Sequence, residues 1–211
     1  AGQMTAEAAN SLLKLLEEPP PGWLFILITQ QAERLLPTVL SRVVRLRFDA
    51  PDSSAVQQIL KAKGITQNTQ VLAALAGGSP GRALSYNQAD IFAIRREALD
   101  LLKKLPLQNP FGYIAALGWG EKYDRAAALL LTEQFIYLLR DVLLLQSGAG
   151  GQVYNTDIMA GLDGIAADWP LHTARQGVNA AQEAWQNINK NVSAKNVLEA
   201  LVLKLDLLRK E

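Results

Sequence analysis

The chain has 211 residues, and its 21 basic and 20 acidic side chains leave a formal net charge of +1, which gives no long-range pull toward nucleic acid. It is 49% hydrophobic, enough to bury one large core or two to three small ones, which excludes a disordered chain. The absence of cysteine excludes a disulfide framework and any thiolate metal site, and is compatible with a reducing cytoplasm. Its longest apolar runs fall well short of the roughly 20 residues a membrane span needs, and no charged-then-apolar leader opens it, so secretion is not expected.

In chain order, Thr5 is placed to cap a helix with Glu7 in its first turn. Ala9, Leu12, Leu13 and Leu16 recur at the spacing of one buried helical face. Pro19, Pro20 and Pro21 followed by Gly22 stop that helix. The run "WLFILIT" (Trp23 to Thr29) predicts a strand covered on both faces, as in a parallel sheet. "LLPTVLSR" predicts a short helix with Pro37 in its first turn. "VVRLRF" predicts a second strand, with Val44, Leu46 and Phe48 inward and Arg45 and Arg47 outward.

After Pro51 the strand signal ends. Helices are predicted at 52–63, 67–77, 79–87 and 89–104, with Ser79 as a cap and Pro80 at the first helical position. "LPLQNP" (Leu105 to Pro110) reads as a linker, and helices follow near 110–118, 121–147, 155–168, 170–190 and 194–211. The fold class expected is mainly α with a small α/β portion. Two strands and a helix cannot make a self-sufficient sheet, so residues 1–48 read as the C-terminal remnant of a larger one, followed by a helical domain over 49–106 and another over 107–211.

Signals for chemistry within the chain are thin. His172 is the single histidine, so neither a Ser-His-Asp triad nor a zinc site is available, and a structural or surface role fits it. Glu17 and Glu18 form an acidic pair before the proline stop, read as a solvated or partner-facing helix end. "GAGG" at 148–151 follows no apolar strand and precedes no Lys-Ser/Thr, which excludes a phosphate loop. No metal site is expected. Arg42, at the end of a short helix, and Arg82, in the first turn of the helix capped by Ser79, each admit two readings. One is a surface ion pair; the other is the rigid fork that bidentate phosphate recognition needs.

"MTAEAANSLLKLLEEPP", "FILIT" and "LLPTVLSR", in that order, resemble the second half of the AAA+ core in clamp-loader subunits of bacterial DNA polymerase III. "GGSPGRAL" resembles that family's sensor-2 helix, and "NKNVSAKNVLEALVLKL" the end of its collar domain. "TQQAERLLPTVLSR" is closer to the delta-prime class of these subunits than to the gamma/tau class.

The resemblance implies a truncated α/β core over 1–48, a lid over 49–106 and an oligomerising collar over 107–211. It implies that Arg42 is an arginine finger reaching a neighbour's ATP, with Val43 replacing the family's usual cysteine. Thr29 falls at sensor 1, and Arg82 at sensor 2. Phosphate loop and magnesium carboxylates are implied N-terminal to Met4, so these residues alone are expected to hold no cofactor, with ATP in neighbouring subunits. The implied partners are gamma/tau and delta subunits, and the sliding clamp and primer-template DNA through the complex, in the cytoplasm. Alternatives are a gamma/tau-type ATP-binding subunit and an unrelated helical adaptor.

Overall fold

The structure, a computed structural model, describes residues 6–29 and 31–210, and these divide into two compact units at 49/50. The first unit opens with helix α1 (Ala6–Glu17), ended by the prolines; the Trp23 N–H donates to Pro20 O at 3.1 Å, and Gly22 takes φ +83° in that turn. The predicted cap Thr5 lies outside the described residues. After a 3₁₀ turn (Ala32–Arg34) comes the four-residue helix α2 (Pro37–Leu40), with Pro37 at its first position, where a missing N–H costs nothing, and Val39 buried.

Neither predicted strand forms: among the described residues, 23–29 and 43–48 pair into no ladder. A strand exists only by exchanging hydrogen bonds with a neighbour, and the described residues of this unit offer none. The side chains predicted to be covered therefore stand in solvent, with Leu24 83%, Leu46 76% and Phe48 89% exposed. Exposed apolar surface on this scale marks an association site. The 211-residue chain is accordingly expected to self-associate, and Leu46→Glu with Phe48→Glu should return it to a monomer in sedimentation velocity. Unchanged sedimentation of the double variant would assign the association elsewhere.

The second unit is entirely helical among its described residues, as the mainly α class requires. Asp52 caps α3 (Ser53–Ala62) by accepting the Ala55 N–H at 2.7 Å; that bond, with the Ser54 hydroxyl, holds its carboxyl below the usual aspartate range. Helix α4 (Thr69–Leu75) ends at Gly77 and Gly78. A side chain at Gly78 would meet Ala50 Cβ and Pro51 O at 2.8 Å, so the close approach as well as its φ of +80° requires glycine. Helix α5 (Pro80–Gln88) begins as predicted, the Arg82 N–H donating to Ser79 Oγ at 3.3 Å. Val56, Leu60, Leu72, Leu75, Ala83 and Tyr86 form the core of these three helices.

Helix α6 (Ile91–Lys104) joins this core to a larger one: Ile91 belongs to the first cluster and Ile94 onward to the second. The larger core is built by α7 (Pro110–Leu117), α8 (Trp119–Lys122), α9 (Arg125–Gln146), α10 (Met159–Asp168), α11 (Leu171–Asn189) and α12 (Ala194–Leu208). Helix α9 is its axis, with Leu131, Phe135, Leu138, Leu139 and Val142 wholly buried. Helix α11 faces it with small residues, Ala174, Gly177, Ala181 and Ala184, so the backbones approach closely. A Cβ at Gly177 would lie 3.0 Å from Leu139 Cδ1 and 3.3 Å from Leu205 Cδ2.

Candidate functional site

Arg42 sits one residue past the C-terminal cap of α2, where carbonyl groups carry the negative end of the helix dipole and favour a cation. One guanidinium nitrogen donates to Thr38 O at 2.9 Å and to Ser41 Oγ at 3.2 Å. The other pairs with Glu17 Oε1 at 2.5 Å, joining the end of α2 to the end of α1. Within the acidic pair, read as a solvated or partner-facing helix end, both residues are exposed and Glu17 serves Arg42. The Arg42 side chain keeps 35% of its surface accessible and that of Glu17 47%, so the pair is solvated and exchangeable, of the kind worth about 0.2–1 kcal/mol. A denser anion such as a phosphate oxygen can displace the carboxylate and still find the fork oriented by Thr38.

Thr29 closes the first extended segment: its hydroxyl donates to Gln31 O and accepts the Gln31 N–H, each at 3.2 Å. It is a half-buried turn residue with its polar atom already engaged.

Arg82 belongs to the second unit, and its fork is occupied. Its Nη2 pairs with the Glu133 carboxylate of α9 and donates to the Tyr137 hydroxyl at 2.9 Å, and the guanidinium lies 5.3 Å from the centre of the Tyr86 ring. Burial opposes its charge, but Glu133, Tyr137 and Tyr86 outweigh that and raise its pKa. Tyr86 donates to the other Glu133 oxygen at 2.5 Å; burial first and then the carboxylate push the phenol pKa far up, so it stays a donor. The free N–H groups beside Arg82 are thus partly used, and its side chain faces a carboxylate of its own chain.

Sequence reasoning missed a second polar cluster. Asp141, wholly buried on α9, accepts the Tyr154 and Asn155 N–H groups and the Asn155 side-chain amide at 2.7–3.2 Å. Asn155 passes the network to Arg95 on α6 at 2.9 Å, and Arg95 pairs with Asp157 at 2.5 Å. The signal was present: Arg95 and Asp141 are single charges on the apolar phase of their helices.

His172 is exposed at the start of α11, and "GAGG" lies at the C-terminal end of α9 rather than ahead of a helix start. A cavity of about 440 Å³ between α7, α8 and α12, lined by Phe111, Ile114, Trp119, Lys195 and Glu199, contains none of the candidate residues. Among the described residues there is no cluster of three metal-ligating side chains and no helix long and apolar enough to cross a membrane.

Residues 1–52, which carry Thr29 and Arg42, match the family described as DNA polymerase III, delta subunit. The chain is 28% identical to DNA polymerase III subunit delta' of Bacillus subtilis, over 97% of this chain and 63% of that protein. It is 34% identical to the delta' subunit of Escherichia coli, over 85% of this chain and 52% of that protein. This chain is a homologue of DNA polymerase III subunit delta'. A gamma/tau subunit of Mycobacterium tuberculosis strain H37Rv is also similar, 29% identical over 70% of this chain and 30% of that protein. These two delta' matches cover more of both chains, in line with the reading of "TQQAERLLPTVLSR". The chain spans between about half and two thirds of the length of these delta' relatives.

Proposed function

We propose that this chain acts in the cytoplasm as part of a delta'-type clamp-loader subunit. It assembles in a ring with gamma/tau and delta subunits that loads the sliding clamp on primer-template DNA, and it supplies Arg42 in trans to the ATP of a neighbour. Residues 49–106 serve as its lid and 107–211 as its collar. One observation carries this reading: a permanently charged fork, pre-oriented by Thr38 O and Ser41 Oγ and paired with the exchangeable Glu17. In a neighbour's site such a cation stabilises charge developing on the γ-phosphate during transfer. This chain then contributes a charge to the reaction, and the phosphate loop and magnesium belong to the subunit that binds ATP. Thr29 stands in this reading as the residue nearest in role to a nucleotide sensor.

The gamma/tau-type reading, in which Arg82 meets the chain's own nucleotide, is supported by the gamma/tau similarity, and the pairing of Arg82 with Glu133 weighs against it. A photoreactive ATP carrying an azidoanilide on its γ-phosphate separates the readings. Bound by the neighbouring subunit in the reconstituted complex, it should label the peptide containing Arg42. Labelling confined to the peptide containing Arg82 would favour the gamma/tau-type reading, and labelling of neither would remove the finger.

A further inference from the structure

Two pairs of residues, each spaced by four, meet between α5 and α9. Arg82 and Tyr86 lie on one face of α5, and Glu133 and Tyr137 on one face of α9. The Glu133 carboxylate accepts from both α5 residues, one on each oxygen, while Tyr137 accepts from Arg82 and reaches toward the same carboxylate at 3.5 Å. Glu133 is largely buried, with 14% of its side chain exposed, and Tyr86 is buried almost completely. The chain of contacts continues along α9: the Tyr137 ring meets Tyr154 edge-on at 5.8 Å, and the Arg140 guanidinium stacks 3.8 Å from the centre of that ring.

Apolar contact between the two cores is thin by comparison. Among the described residues, Phe92 of α6 and Leu130, Tyr137 and Tyr154 of the larger helical body pack against the cluster of α3, α4 and α5, and Tyr137 and Tyr154 belong to the same polar seam. Apolar burial is non-directional, so it sets that two bodies touch but not at what angle. Charge-assisted hydrogen bonds are directional and are stronger where water is scarce.

We infer that Arg82, Tyr86, Glu133 and Tyr137 form a latch that fixes the orientation of the α3–α5 body on α9, with Glu133 as the group that holds it shut. Glu133 fills the fork of Arg82 as an external anion would, so opening the latch frees that fork and lets the small body turn about the α5–α6 junction. Asp90 at that junction already adopts a left-handed conformation, φ 47°, and caps α6 from there. The latch requires neither nucleotide nor partner subunits, and it holds whether or not the chain works in a clamp loader.

The test is a distance measurement between spin labels, made simple by the absence of native cysteine. Gln58→Cys on α3 and Gln176→Cys on α11 are both exposed sites. With the latch intact, pulsed dipolar spectroscopy should give one narrow distance. With Glu133→Gln added, the population outside that peak should rise by about tenfold or more. Tyr86→Phe, which removes one hydroxyl and no volume, should shift it in the same direction by less. An unchanged distribution in Glu133→Gln, or in Tyr86→Phe should the first variant not fold, would overturn the latch.

Discussion

Replacing Arg42 by alanine in the full-length protein is expected to lower ATP turnover of the reconstituted, DNA- and clamp-stimulated complex while leaving the complex assembled. Arginine fingers in other systems are worth about 10³–10⁵ in rate at the site they serve. The fall for the whole complex should be partial if other sites take their fingers from other subunits. Stability should change little, since the pair lost is the solvated one with Glu17, and surface substitutions of that kind usually stay within about 0.5 kcal/mol. Arg42→Lys should not restore turnover fully, because an ammonium cannot hold Thr38 O and a phosphate oxygen in the geometry of a planar fork. ATPase rate measured beside analytical ultracentrifugation decides the matter. Unchanged turnover in an intact ring reduces Arg42 to an ion-pair residue, and a ring that fails to form makes it structural.

The largest stability effect is expected at Asp141. Its carboxylate is surrounded by donors, two backbone N–H groups, the Asn155 amide and the Arg140 guanidinium at 2.9 Å. Asp141→Leu would take this acceptor from the two backbone N–H groups and the Asn155 amide in a buried site, while Arg140 keeps Gln152 O, and breaking a buried charge network in this way costs about 3–5 kcal/mol. Asp141→Asn keeps one acceptor oxygen but turns the other into a donor facing donors, and should cost an intermediate amount. Urea denaturation followed by circular dichroism measures both. A loss below about 1 kcal/mol for Asp141→Leu would mean that the 153–155 segment has another anchor.

The helices of 50–211 were legible because their ends carry local chemistry. Ser79, Pro80, the Gly77-Gly78 pair and the apolar phases of α9 and α11 are all read within a few residues of where they act. The strands were not. Period and composition at 23–29 and 43–48 describe what such segments prefer, whereas a strand is completed by a partner that the described residues do not supply.

Arg82 shows the same limit at the candidate site. Its position in the first turn of a capped helix was readable, but Glu133, which claims its fork, lies 51 residues further along the chain, and no local spacing announces it. Arg42 was readable as a fork at a helix end. Its contact with Glu17 unites two features, an acidic pair and a lone arginine, that had looked separate. Only the family resemblance joined Arg42 to a role outside the chain.

The segments at 23–29 and 43–48 also give the molecule a gradient of resistance. They belong to no sheet ladder and many of their side chains stand open, so opening them costs little, whereas opening α9 exposes side chains that are now wholly enclosed. A protease meets 23–29 and 43–48 as extended substrates and the second unit as a closed one. Digestion should therefore erode residues before about 50 while the helical body persists, and survival in a crude extract would depend on how early those segments are covered.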